Sequence, residues 1–91
     1  MKIVIEGAGE VGSHLAKMLR LEANDITVID NDEQRLSSLA TADVETVFGN
    51  PSSIQVEKDA GVGSADLFIA VYPIATQEVN IVGALIAKQL G

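Results

Sequence analysis

Short apolar runs alternate with stretches of helical spacing along the whole chain. Ile3, Val4 and Ile5 are continuously apolar and β-branched, which predicts a buried strand over 2–6. Past the glycines at 7–12 the period changes. Val11, Leu15, Met18 and Leu19 recur at i, i+4, i+7 and i+8, predicting a helix from Glu10 with these four on its core face and an end near Asn24 and Asp25. Residues 26–29 (Ile, Thr, Val, Ile) then read as a second strand that ends on Asp30. Asn31 with Gln34 three positions on has the form of a capping box, opening a short helix that buries Leu36 and Leu39. A third strand is expected over 44–48, a turn at Gly49-Asn50-Pro51, and a short helix capped by Ser52 or Ser53 that stops at Gly61. A fourth, continuously apolar strand covers 67–71, and a last helix runs from about 76 to 90, with Gly91 as its stop.

Four strand–helix units with apolar strands predict an α/β fold: a parallel sheet covered on both faces, in three layers. Right-handed crossovers give it the strand order 3-2-1-4. Residues 1–91 read as one domain of this Rossmann-like kind, with no internal repeat and no linker.

The hexapeptide GAGEVG is where chemistry enters. It follows a strand and opens a helix, and the acidic Asp30 closes the next strand 18 positions past Gly12. In that setting Gly7 allows the tight turn out of the strand, Gly9 lets a pyrophosphate touch the backbone, and Gly12 lets the helix lie close on the sheet. The helix N-terminus supplies unpaired N–H groups and the positive end of its dipole. Asp30 is placed to accept hydrogen bonds from the vicinal hydroxyls of an adenosine ribose. Asn31 and Asp32 follow it and no arginine adjoins it in sequence, so an unphosphorylated ribose (NAD, ADP or ATP) is expected over NADP. Glu6 puts a carboxylate directly before this loop. Either it repels the anion, or its side chain turns to solvent or pairs with a lysine.

Composition narrows the partners. Thirteen acidic against six scattered basic residues give a net charge of −7, which argues against nucleic acid and against an anionic lipid surface. There is no cysteine, hence no thiol chemistry or disulfide framework. No run nears the ~18 apolar residues of a membrane span. No basic-then-apolar leader opens the sequence, and a cytoplasmic location is expected.

Beyond the glycines, the opening MKIVIEGAGEVGSHLAKML, the stretch VIDNDEQRLSSL, the GNPSS turn, and AGVGSADLFIAVYP followed by Asn80 resemble the TrkA-type regulatory domain, also called RCK or KTN. The resemblance runs the length of the chain. It implies a cytoplasmic module on the inner side of a membrane potassium transporter or channel, binding NAD(H), ATP or ADP and assembling in dimers or rings to gate potassium flux. It also assigns residues. Gly7, Gly9 and Gly12 form the phosphate loop, with backbone amides from Glu10 and Val11. Asp30 holds the ribose, and Asn31 and Arg35 lie beside the adenosine half. Gly49 and Asn50 flank the adenine, Val71 and Tyr72 end the fourth strand, and Asn80 lies near the nucleotide's other half. Many relatives have Asp where Asn50 stands and Thr where Tyr72 stands. Family members also continue through two further strand–helix units, so the chain reads as a fragment truncated after the fourth. A homodimer formed through the last helix or the fourth-strand edge is expected, in preference to the remainder of a longer protein, to cover the apolar surface left there.

The rival readings are the nucleotide-binding half of an NAD-dependent oxidoreductase and a structural fragment with no ligand. Hydride transfer needs a positioned acid or base. His14, just past Gly12, reads as a solvated helix residue. Tyr72 is placed best for catalysis but has Thr76, not lysine, four positions on. Asp30 and Asp32 alone are too thin a basis for a metal. No catalytic residue is assigned, and the chain is expected not to be an enzyme.

Overall fold

The computed structural model describes residues 1–71. The helix expected over 76–90, the dimer surface attributed to it, Tyr72 and Asn80 lie outside the described residues. The elements are β1 (Lys2–Glu6), α1 (Glu10–Leu21), β2 (Asp25–Asp30), α2 (Glu33–Ser37), β3 (Glu45–Phe48), α3 (Ile54–Asp59) and β4 (Leu67–Ala70). A single 3-10 turn at Val62–Ser64, not expected from the sequence, links α3 to β4. Among the described residues all three strand pairings are parallel, and the order is β3-β2-β1-β4. The topology is the one that strand–helix alternation predicts.

Two half-cores lie on the two sheet faces. Ile3, Ile5, Ile26 and Val28 meet Ala16 of α1 and Leu36 and Leu39 of the α2 segment on one side. Val4 and Ile29 meet Ala60 and Val62 on the other. Alternation along β1 therefore sends even-numbered side chains toward α3, and Glu6 goes with them.

The rotation of α1 differs from the sequence expectation. Gly12 and Ala16 are its buried residues and Leu15 and Leu19 are partly buried, whereas Val11 is 63% and Met18 48% exposed. The helix is turned so that its smallest residues meet the sheet, because Gly12 must pass against the loop backbone. Spacing alone put the stripe one step away.

The α2 cap also moves by one residue. Asp32, not Asn31, is the N-cap, and its Oδ1 accepts from Gln34 N at 2.9 Å. The cap fits the acid-rich entry to a helix of only five residues. Asp32→Ala is expected to lower unfolding stability by about 1 kcal/mol, the usual cost of an N-cap loss, read from urea midpoints. Ser53 is the cap of α3, accepting from Val56 N, and Gly61 ends that segment in the left-handed region at φ +76°.

Candidate functional site

The site forms where β1 and β2 end. Gly7 leaves β1 with φ +114°, a conformation side chains rarely adopt, and its N–H donates to Ile29 O at 2.8 Å. That bond ties the loop to the end of β2. Ser13 adds a second tie, its Oγ donating to Ala8 O at 2.8 Å. The chain then enters α1 through Gly9, in extended backbone at φ −69°. In the first turn of a helix the N–H groups have no carbonyl partner within the helix, so Glu10, Val11 and Gly12 present free amides at its positive end.

The three glycines have different surroundings. A Cβ on Gly12 would stand 1.9 Å from Gly7 O and 2.9 Å from Val71 Cγ2, so this residue is where helix, loop and β4 meet without room for a methyl group. A Cβ on Gly7 would lie 3.2 Å from Val71 O. Around Gly9 there is nothing within 4 Å. Its missing side chain therefore serves no internal packing. It leaves open space directly above the free amides, as a close-approaching anion requires.

Asp30 is fully buried, and both its oxygens are engaged. Oδ2 accepts from Ala8 N at 2.7 Å, and Oδ1 accepts from Asp32 N at 2.8 Å. The carboxylate is thus first a brace that holds the phosphate loop against the end of β2, a role the sequence reading did not give it. Each oxygen keeps a second lone pair for a ribose hydroxyl. Arg35, five positions on, folds back over it. Nη1 lies 3.8 Å from Asp30 Oδ2, and Nε lies 3.7 Å from Asp32 Oδ2. The sequence argument that no arginine adjoins Asp30 therefore holds along the chain but not in space.

The remaining expected residues fall as follows. Asn31 is exposed beside Asp30. Gly49 donates its N–H to Asp30 O at 3.0 Å, which brings the Gly49–Asn50 turn to the same strand ends. Gly49 also has a packing reason, since a Cβ there would lie 2.6 Å from Val56 Cγ2 of α3. Asn50 Oδ1 accepts from Ser52 N at 3.0 Å and shapes the turn. Val71 joins β4 to the loop, donating to Glu6 O at 2.9 Å. His14 is exposed on α1. An open groove of about 670 Å³ runs from Gly9 and Ser13 to Asp32 and Arg35. Another hollow, of about 480 Å³, lies at the opposite ends of the strands between Arg20, Asp25 and Asp43. Ligands of open parallel sheets bind outside the carboxyl ends, so the groove at Gly9 is the relevant one.

Glu6 is neither turned to solvent nor paired with lysine. Its side chain is fully buried and lies beside Glu57 of α3, also fully buried, and no oxygen of either finds a partner at hydrogen-bonding geometry. Glu57 was missed in the sequence although its spacing to Ser53 and Ala60 puts it on the inner side of its helix. Among the described residues no group of three or more His, Asp or Glu is placed to hold a metal ion, and no helix is long and apolar enough to cross a membrane.

Sheet order, loop and acidic strand end together define a Rossmann-like α/β module of the dinucleotide-binding type. The TrkA-N domain family model matches residues 3–91, and the chain belongs to that family. It is 43% identical over 91 residues to a Trk system potassium uptake protein TrkA homolog of Archaeoglobus fulgidus, covering all of this chain and 20% of that protein. It is 48% identical over 83 residues to the Trk system potassium uptake protein TrkA of Haemophilus influenzae, covering 90% of this chain and 18% of that one. The chain thus spans about a fifth of the length of these relatives. Among solved structures it resembles the TrkA-N domain of the inner membrane protein ybaL from Escherichia coli, with TM-score 0.75, 18% identity, and 99% of this chain and 82% of that one covered. The Escherichia coli reductase ChuY gives TM-score 0.78 at 18% identity, covering 100% of this chain and 47% of that chain, a likeness of fold alone.

Proposed function

We propose that this chain is a cytoplasmic nucleotide-binding regulatory module of a Trk-type potassium transporter or channel, taking NAD(H), ADP or ATP and working as a homo-oligomer. The observation that carries the reading is the open space at Gly9 beside the free amides of α1, with Asp30 braced against the same loop at Ala8. A pyrophosphate sits on those amides, and the ribose hydroxyls meet Asp30 once the Arg35 guanidinium swings aside. The relatives' names supply the potassium system. Occupancy reaches the membrane partner as a change in subunit packing, and its size is bounded by the nucleotide's difference in affinity for the two packings. The regulatory reading is preferred to the oxidoreductase one because the family-level likeness is to uptake proteins, while the reductase shares only the fold.

Calorimetric titration with NADH, NAD, ADP, ATP and NADPH tests it. Unphosphorylated-ribose nucleotides are expected to bind, and NADPH about tenfold or more weaker, because a 2′-phosphate would be set against the Asp30 and Asp32 carboxylates. Equal binding of NADPH would show that Arg35 leaves those carboxylates for the 2′-phosphate. Failure of all five to bind overturns the nucleotide reading.

A further inference from the structure

Glu6 ends β1 immediately before the phosphate loop, and Glu57 lies in the first turns of α3, which crosses that sheet face. Both side chains are fully buried and unpartnered. Their surroundings are aliphatic: Val4, Ile29, Val56 and Ala60 belong to the same half-core. Two ionised carboxylates are not tolerated in such a place without cations, and the described neighbours provide none. On α3, Lys58 and Asp59 are exposed, and Asp59 accepts from Gln55. On β1 the charge sharing that face is Lys2, at the far end of the strand, where Nζ bonds Ser64 Oγ. Asp25 and Glu45 begin β2 and β3 at that same far end, and Asp30 serves the loop. The 3-10 turn and β4 bring no titratable side chain to the pair, since Asp66 caps Lys2 N.

We propose that Glu6 and Glu57 share a proton and form a proton-controlled joint between α3 and the root of the phosphate loop. With the proton in place, the two carboxyls make one hydrogen bond and α3 closes on the sheet. Without it, they repel and α3 loosens. The loosening is transmitted directly, because Glu6 O holds Val71 N, the next residue is Gly7, and α3 supports Gly49 through Val56. Burial raises the Glu6 carboxyl from 4.5 to about 8, helped by the nearby Glu57 charge, and burial raises Glu57 to about 7. Protonated Glu6 donating to Glu57 fits that order. The joint does not depend on the nucleotide reading, because it acts on the fold itself.

The sign of its pH dependence is fixed by linkage. In the unfolded chain both carboxyls ionise near 4.5, so from there to about 8 the folded state holds protons that the unfolded state has lost. The pair's contribution to stability is fully present below 4.5, is lost as pH rises and is gone above about 8. Two experiments on the purified protein test this. In a carbon-detected NMR titration of glutamate carboxyls, two resonances are expected to move together well above the ordinary carboxylate range, as macroscopic steps of one pair. Glutamates that all titrate in the ordinary range overturn the joint. Resonances that move instead on adding K⁺, Na⁺, Mg²⁺ or Ca²⁺ at fixed pH overturn it in favour of a cation site. In urea unfolding between pH 5 and 9, the wild-type midpoint is expected to fall with pH, and that of Glu6→Gln with Glu57→Gln to be flat. An equal slope in the double variant sinks the proposal, and a variant that does not fold leaves the NMR titration to decide.

Discussion

Gly12→Ala is expected to destabilise the fold by about 3 kcal/mol or more, while Gly9→Ala changes stability by no more than about 1 kcal/mol. The two substitutions add the same methyl group to the same loop, and they differ in what that methyl meets. At Gly12 it stands 1.9 Å from a carbonyl oxygen of the loop itself and 2.9 Å from Val71, and no side-chain rotation relieves a contact with backbone. Relief requires α1 to lift from the sheet, exposing Ala16 and opening contacts with Leu15 and Leu19. For a domain of this size such a loss is a large share of total stability. At Gly9 the backbone already has a conformation alanine adopts, and nothing lies within 4 Å. The small penalty of alanine at an N-cap and the small gain from a stiffer unfolded chain roughly cancel. On the proposed function, the same Gly9→Ala variant loses at least tenfold in nucleotide affinity, because the methyl fills the space reserved for pyrophosphate. Circular dichroism melts and calorimetry on both variants check this. A stable Gly12→Ala protein contradicts the close approach drawn here, and full nucleotide affinity in Gly9→Ala contradicts the use assigned to the open space.

That contrast also marks how far the sequence could be read. The four strands and their order follow from local pattern and crossover handedness, and the loop follows from glycines set between a strand and a helix. What failed was anything fixed by a neighbour that is met only once the chain is folded. Val11 and Met18 satisfy the helical period as well as Gly12 and Ala16 do, and the rotation of α1 is decided by Gly7 and Val71 pressing on Gly12. Arg35 is five positions from Asp30 along the chain, and one short helix carries it back to the carboxylate. Glu6 and Glu57 are 51 residues apart, and only the crossover through β3 brings them together. Glu6 stood out as the wrong charge beside a phosphate loop, but its partner is invisible until the chain is folded.

Asp30→Ala is expected to lower both stability and nucleotide affinity, each by an amount that separates the two roles of one carboxylate. Its two hydrogen bonds go to backbone N–H groups at 2.7 and 2.8 Å, and they are charge-assisted, the stronger kind. Ala8 is 3% exposed, so its N–H has no water to turn to once the acceptor is gone. The Asp32 N–H is only partly buried and recovers a water. One buried donor left unsatisfied, with the weaker loss at Asp32, amounts to about 2–3 kcal/mol of unfolding free energy. Losing the ribose contact costs the folded protein a further roughly 1.5–3 kcal/mol of binding. Asp30→Asn falls between, since its one amide oxygen can serve either Ala8 or Asp32 while its NH₂ meets the other donor. Urea midpoints measure the first effect, and titration of protein shown to be folded measures the second. A fold as stable as wild type with binding abolished means that the carboxylate belongs to the ligand and braces nothing. A weakened fold with unchanged affinity means the reverse: Asp30 holds the loop, and the loop amides alone hold the nucleotide.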